Sequence, residues 1–340
     1  MTGGSGLVGK NLQDVVSQSS ISNSDNTFVF LNRSKNDEYS LDCENRDAVM
    51  AYFEKQRFDA IIHLAACVGG LFMHIDNNEY VYEKNKRIND NVLDACHLTK
   101  IKYGVFCSSS CVFPHEPEHF PMDEEMMCAG DPHPTNCGYA NAKREMYERC
   151  REMNERHGYN YVCLIPVNMY GKFDNFDLNN GHFIPALMHR FELTKKAVRD
   201  GCAFSSYSDL PTQSPCEEKY VAYGDGTPLR QLLYAKDFAD IIRRVLTSVV
   251  SGIYGKPDPM VVCSDEEYAI SEVVRKLTMT MGIEYDKVVW DTSKANGCMK
   301  KTVTNCRFKR AFPEYRFTSL LDGLRETYEW FEVTNLTNHT

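Results

Sequence analysis

Nowhere in the 340 residues do two cysteines stand as Cys-x-x-Cys, although fourteen cysteines are present. Their scatter from Cys43 to Cys306 excludes a zinc-ribbon or thioredoxin-type pattern, and they are expected to be reduced thiols acting as small hydrophobes. His115 and His119 have the i, i+4 spacing of a helical metal pair, but Pro114 and Pro117 oppose the helix that spacing needs, so no metal site is expected. No apolar run reaches the ~20 residues of a bilayer span; the most apolar stretch, Ala60–Ile75, is interrupted by His63. Nor is there an excess of basic charge. With 38 Lys and Arg against 47 Asp and Glu, the net charge is −9, which argues against general nucleic-acid or membrane-surface binding. No basic stretch followed by an apolar run opens the chain, so no secretory signal is expected and a cytoplasmic location is.

What is present is an ordinary globular composition, 43% hydrophobic and 25% charged, long enough for two modest domains. Over residues 1–165, short apolar runs at Thr27–Leu31, Ala60–Ala65, Tyr103–Cys107 and Tyr161–Ile165 alternate with helical patterns. Those patterns fall at Leu7–Ser17, Asp47–Gln56, Tyr80–Thr99 and Ala140–Arg156, the last stopped by Gly158. Continuous β runs separated by helices predict an α/β fold: a doubly wound, Rossmann-like parallel sheet covered on both faces. From residue 166 to 340 the rhythm loosens, with helices expected at Ile184–Lys196, Lys236–Val249, Ser271–Met281 and Leu320–Phe331. A polar stretch, Ser205–Lys219, is expected as an exposed insertion. This half is expected to be a smaller α+β substrate domain.

Thr2–Gly9 reads TGGSGLVG and opens the first helical pattern. Glycines at 3, 6 and 9 let a strand-to-helix turn approach a pyrophosphate, where the helix N-terminus offers free N–H groups. Gly3, Gly4, Ser5, Gly6, Leu7, Val8 and Gly9 are therefore candidate dinucleotide contacts. Only Met1 precedes the motif, so an apolar strand of about 5–10 residues is expected upstream of it. Without that strand, its neighbours should leave a gap or re-pair. After the second apolar run, Arg33 and Lys35 stand where an NAD-preferring site places an acid, and their charge suits a 2′-phosphate, hence NADP. Asp42 is placed near the adenine edge.

Tyr139 and Lys143 share one helix face, an arrangement in which the ammonium is expected to lower the tyrosine pKa for proton transfer. Ser109 and Cys111 stand two apart after a predicted strand. If the strand continued, both would point to one side, the hydroxyl towards a carbonyl and a thiolate towards an adjacent C–H.

Taken in order, TGGSGLVG, HLAACVGG (63–70), SSCVFP (109–114), YANAK (139–143) and NNGHFIPAL (179–187) resemble the extended short-chain dehydrogenase/reductases. More narrowly they resemble the GDP-L-fucose synthase family, epimerase–reductases acting on GDP-4-keto-6-deoxy-mannose. The resemblance implies a cytosolic, NADP(H)-dependent enzyme, commonly a homodimer, with a GDP-sugar substrate. It implies Cys111 as base, His182 as acid on the opposite sugar face, Ser109 and Tyr139 at the ketone, and Lys143 at the nicotinamide ribose. Pro166, Val167, Asn168 and Met169, with His182, would lie beside the nicotinamide, and Arg190 and Arg230 would hold the diphosphate. Three positions depart from the family pattern. Tyr223 stands where Trp is common, Asn296 replaces an expected Asp in the substrate loop Lys294–Lys301, and the 205–219 stretch has no counterpart. A GDP-colitose synthase, with the same catalytic residues, and a non-catalytic NADP-binding protein remain the competing readings.

Overall fold

Alternation of core residues along three short strands positions everything else. The computed structural model describes residues 1–18, 27–33, 39–200, 218–253, 257–294 and 296–337. In chain order the first half contains α1 (Leu7–Gln18), α2 (Arg46–Gln56), β1 (Ala60–His63), α3 (Leu71–Asp76), α4 (Asn78–Leu98), β2 (Tyr103–Cys107), α5 (Cys137–His157) and β3 (Asn160–Pro166). The second half contains β4 (Asn168–Tyr170), α6 (Phe183–Asp200), β5 (Tyr220–Tyr223), β6 (Leu229–Tyr234), α7 (Ala235–Val250), β7 (Met260–Val262) and β8 (Glu267–Ala269). It ends with α8 (Ile270–Met281), β9 (Val288–Asp291), α9 (Cys306–Ala311) and α10 (Leu320–Thr337).

The main sheet is parallel in the order β1–β2–β3–β7. Successive strand residues point to opposite faces. Ile62, Val105, Val162 and Leu164 join Leu12 of α1 and Phe238, Ile241 and Ile242 of α7 in one core. Ile61, Phe106, Tyr161 and Cys163 join Val49 and Phe53 of α2, Val92 of α4 and Met146 of α5 in the other. Both faces are covered, as the continuous apolar runs require. Strand β7 and helix α7, from the second half of the chain, complete this sheet and one of its layers.

The segment Thr27–Leu31, expected as a strand, forms no regular ladder. The Met1 amino group donates to the Val29 carbonyl (2.6 Å), Leu31 N–H to the Met1 carbonyl (2.8 Å), and Gly4 N–H to the Leu31 carbonyl (2.8 Å). On the other side, Thr2 N–H donates to the Ile62 carbonyl (3.0 Å) and Thr2 forms a parallel bridge to His63. Met1 and Thr2 thus stand between 27–31 and β1, so neither the expected gap nor re-pairing occurs. Three isolated bonds do not make a ladder, so 27–31 is not ordered as a strand.

His63 is fully buried, with Nδ1 2.8 Å from the Thr2 hydroxyl and Nε2 3.0 Å from Asn89 Oδ1. Burial, reinforced by Lys143, pushes its pKa down to about 3. An unfolded histidine titrates near 6.5, so the unfolded chain binds the extra proton between those values, and the stability held above pH 6.5 drains away as pH falls towards 3. The expected loss is on the order of 4–5 kcal/mol at 1.36 kcal/mol per pKa unit. Urea midpoints measured from pH 8 to pH 4 should fall more steeply for the wild type than for His63→Gln.

The second half builds a three-stranded sheet, β4–β6–β8, and the parallel pair β5–β9. A third core lies among α6, α8 and α10, with Phe191, Leu277 and Leu324 fully buried. Of the expected insertion at 205–219, only Glu218 and Lys219 lie within the described residues. Glu218 accepts from Tyr220 Oη (2.8 Å) and Lys287 Nζ (2.7 Å). Among the described residues no helix is long and apolar enough to cross a membrane.

Candidate active site

The segments that follow the strands' carboxyl ends, 64–70, 107–111 and 166–169, line one cavity of about 730 Å³ together with the glycine turn. Ligands of open α/β sheets bind at this edge. From the second half, residues of α6 and of the turn at 223–230 line it too, with Lys294, Asn296, Gly297, Cys298 and Lys301.

At the glycine turn, Gly3 has φ +75°, and a Cβ there would stand 2.8 Å from the Ala65 nitrogen. A Cβ on Gly9 would stand 2.3 Å from the Gly3 carbonyl oxygen, so α1 packs onto the turn only because that atom is missing. The first intrahelical bond runs from Lys10 N–H to the Gly6 carbonyl, leaving the N–H groups of Leu7, Val8 and Gly9 ahead of it. Gly3, Ser5, Gly6, Leu7, Val8 and Gly9 all line the cavity. Gly4 does not: its N–H is held by Leu31, and a Cβ would meet Phe30 at 3.0 Å. This is a cradle of backbone donors and a positive helix end, and it fits a dinucleotide pyrophosphate. Arg33 and Asp42 also line the cavity. The exposed Arg33 guanidinium lies 3.9 Å from Glu44, an acid that Lys84 also holds at 3.0 Å. Lys35 lies outside the described residues.

Strand β2 ends at Cys107, and residues 110–112 form a 3-10 turn. The parity expected for Ser109 and Cys111 from a continuing strand is therefore not what brings them together. Ser109 is extended (φ −161°, ψ 151°) and caps the turn, its Oγ accepting from the Cys111 N–H at 3.3 Å. That leaves the Ser109 O–H as a donor. Both residues line the cavity half-buried. Helix α5 clamps this turn: Lys143 Nζ donates to the Cys107 carbonyl (2.8 Å) and Arg144 Nε to the Val112 carbonyl (2.8 Å).

Lys143 is 1% exposed, and its ammonium lies 5.7 Å from the Tyr139 ring centroid. The expected lowering of the tyrosine pKa is not found. Burial pushes the Tyr139 phenol well above its ordinary value, with Cys107, Cys111 and Cys67 acting in the same direction, and burial also lowers Lys143. Desolvation is the largest cause of the rise. Tyr139 is thus a protonated phenol at neutral pH, suited to give a proton to a developing alkoxide.

His182 faces the cavity, its Nδ1 3.1 Å from Oδ1 of the buried Asp174. Hydrogen bonding to Asp174, against the opposing effect of burial, raises the imidazole pKa. The aspartate fixes Nδ1–H and leaves Nε2 for other partners. Pro166, Val167, Asn168 and Met169 line the same cavity.

Arg190, Arg230, Lys294 and Lys301 also line the cavity. The Arg190 guanidinium stacks 3.9 Å from the Tyr223 ring centroid, and Lys294 lies 5.6 Å from the same ring. Tyr223 therefore organises two cations. Burial lowers both Arg190 and Arg230, which nonetheless remain cations. Asn296 Oδ1 accepts from the Asp225 N–H (2.9 Å), bracing the 224–227 turn. An aspartate could accept the same bond, so the departure at 296 leaves that brace intact.

Sequence reasoning missed Asn136, Asp174, His74 and Ser108. Asp174 opens the DNF (174–176) that precedes GHFIPAL (181–187) in the family pattern, but that pattern gave it no role beside His182. His74 belongs to the run Ala60–Ile75 and reads as part of an apolar segment. Its buried ring lies 5.5 Å from that of Tyr139 and its Nδ1 has no partner among the described residues, nor has Ser108 Oγ.

A family model described as the NAD dependent epimerase/dehydratase family matches residues 1–258. A GDP-L-fucose synthase of Dictyostelium discoideum is 35% identical over 333 residues, 97% of this chain and 94% of that protein. A GDP-L-fucose synthetase of Naegleria fowleri bound to NADP superposes with a TM-score of 0.79 at 31% identity, covering 99% of this chain and 94% of that one. A GDP-L-colitose synthase of Yersinia pseudotuberculosis is 27% identical over 335 residues, 97% of this chain and 96% of that protein.

Proposed function

The chain belongs to the NAD dependent epimerase/dehydratase family, and from that premise we propose that it converts GDP-4-keto-6-deoxy-mannose to GDP-L-fucose with NADP(H). The observation that carries this reading is that Ser109, Cys111, Tyr139 and His182 line one cavity together with a pyrophosphate cradle and four cations. Residues 3, 5–9 and 166–169 would hold the dinucleotide, Lys143 its nicotinamide ribose, and Arg33 its 2′-phosphate. When bound, the reduced nicotinamide supplies the hydride for C-4. A guanidinium fork at Arg190 and Arg230 suits the diphosphate oxygens.

A 4-ketone makes the C–H bonds at C-3 and C-5 acidic, because the carbanion delocalises as an enolate. In this reading the Cys111 thiolate takes the proton. The C–H electron pair becomes the enolate double bond, and negative charge grows on O-4, where the Ser109 and Tyr139 hydroxyls donate. His182, protonated, returns a proton to the opposite face and leaves as neutral imidazole, inverting the carbon. In the reduction, Tyr139 passes its phenolic proton to O-4. The same pair of donors serves both stages.

The histidine makes a pH dependence. Because Asp174 raises the His182 pKa, the acid form persists above the ordinary histidine range, and solvent exchange should fall as pH rises through the raised value. Asp174→Asn should move that alkaline limb to lower pH, a shift read from exchange rates between pH 6 and 9.

Faster NADPH oxidation with GDP-4-keto-6-deoxy-mannose than with its 3-deoxy analogue supports fucose over colitose synthesis, and the reverse order favours the colitose reading. We extend the proposal to a cytoplasmic homodimer. The twelve described cysteines are unpaired, as a reducing compartment keeps them, and Tyr80 and Leu98 of α4 are left exposed. Sedimentation should give twice the 38.9 kDa chain mass.

A further inference from the structure

The first turn of α5 distributes its hydrogen bonds unusually. Asn136 occupies the N-cap position, where an asparagine side chain ordinarily accepts from the helix's second or third N–H. It makes no such bond. The Gly138 N–H is taken instead by Asn78 Oδ1 of α4 at 3.0 Å, and Asn78 Nδ2 donates to the carbonyls of Pro134 (3.1 Å) and Thr135 (3.3 Å). The two helix starts fit closely enough for this because residue 138 is glycine: a Cβ would stand 2.0 Å from the Asn78 carbonyl oxygen. Capping is thus done from the neighbouring helix, and Asn136 is released from it.

The released side chain has one partner among the described residues. Its Nδ2 donates to Cys111 Sγ at 3.0 Å, short for a bond to sulfur, and its Oδ1 is buried with no partner among the described residues. A buried acceptor left unpaired costs free energy. The amide is held by its bond to the sulfur and not by a wider network. A donor on sulfur matters most when the sulfur is charged, and hydrogen bonds to charged groups are the stronger class.

We propose that Asn136 is a further catalytic residue of the epimerisation, its amide N–H supporting Cys111 in the thiolate form that removes the proton next to the ketone. The proposal rests on the function proposed above, and it names a group touching the reacting sulfur that the serine, tyrosine, lysine, cysteine and histidine set does not contain. As the thiolate takes up the substrate proton and becomes a thiol, the amide bond weakens. When the thiol returns its proton to solvent, the bond re-forms.

The test separates this role from capping, because aspartate is as good an N-cap as asparagine and of the same shape. It lacks the N–H, however, and brings a negative charge to the sulfur. Full-length wild type, Asn136→Ala and Asn136→Asp are compared at one pH for alkylation of Cys111 by iodoacetamide, followed by peptide mass analysis. They are also compared for solvent-deuterium exchange into the keto sugar. The proposal expects both rates to fall in the order Asn, Ala, Asp, with the Asp variant slower by about 10- to 100-fold in protein that remains folded. Oxidation of GDP-L-fucose by NADP+, which uses Tyr139 rather than the thiol, should change less. An Asp variant as reactive as the wild type, or more reactive than Ala, overturns the proposal; so would an amide whose carbonyl merely receives the S–H. Should Asn136→Asp not fold, Ala against wild type decides alone. Alkylation needs no sugar, so a wild type that alkylates readily but exchanges nothing would refute the proposed reaction and leave the Asn136–Cys111 coupling separately measured.

Discussion

Tyr139→Phe is expected to reduce NADPH oxidation in the presence of the keto sugar by about 10²–10⁴-fold, the usual range for removing a positioned general acid. Burial holds the Tyr139 phenol well above its ordinary pKa, so the residue carries its proton at neutral pH and has it to give when hydride arrival turns the C-4 oxygen into an alkoxide. Phenylalanine keeps the ring beside His74, at 5.5 Å between centroids in the native site, so packing changes little and the loss reports the hydroxyl. Solvent exchange at C-3 and C-5 should survive in part, because the Ser109 O–H still polarises the ketone. A kcat loss with dinucleotide affinity unchanged is the expected pattern, measured by NADPH absorbance and by titration of its fluorescence.

Cys111→Ser should do the converse. The serine oxygen is a poor base at neutral pH, so deuterium incorporation at C-3 and C-5 should fall by about 10²–10⁴-fold. Tyr139, Lys143 and the glycine cradle are untouched, so direct reduction of the unepimerised ketone remains open and NADPH oxidation persists at a residual rate. Mass spectrometry of sugar recovered from D2O reads the exchange, and wild-type-like exchange in this variant would remove Cys111 from the role of base. The two substitutions thus separate the two stages that one cavity performs.

Much of this site was legible in the residues. Glycines at 3 and 9 announced a turn that tolerates no Cβ, and the structure brings a Cβ at either position below 3 Å from backbone. Tyr139 and Lys143 fell on one helix face because helical spacing fixes that independently of context. The fold class followed from β runs whose alternate residues feed two cores. Where local pattern misled, a non-local force was the cause. Ser109 and Cys111 were paired by strand parity, but the chain turns at 110–112 and helix α5 fixes the pair in place. Lys143 should have acidified Tyr139, and burial, invisible in spacing, reversed the sign. Thr27–Leu31 has strand composition, yet among the described residues its backbone bonds run to Met1 and Gly4 alone and make no ladder. Asn136 and Asp174 reach their partners across 25 and 8 residues. Nothing in a single sequence encodes a contact of that kind, and only folded proximity gives those two polar residues their chemistry.

Whether a thiol and an imidazole on opposite sides of a keto sugar share their cavity with a proton-donating phenol is read most directly from the product formed in D2O. The full-length protein is incubated in D2O with GDP-4-keto-6-deoxy-mannose and NADPH, and the product is identified by NMR. The expected product is GDP-L-fucose carrying deuterium at both C-3 and C-5. A reduced GDP-6-deoxyhexose that keeps the original configuration and protium at those carbons would contradict it, leaving a carbonyl reductase in which Cys111 and His182 do no chemistry.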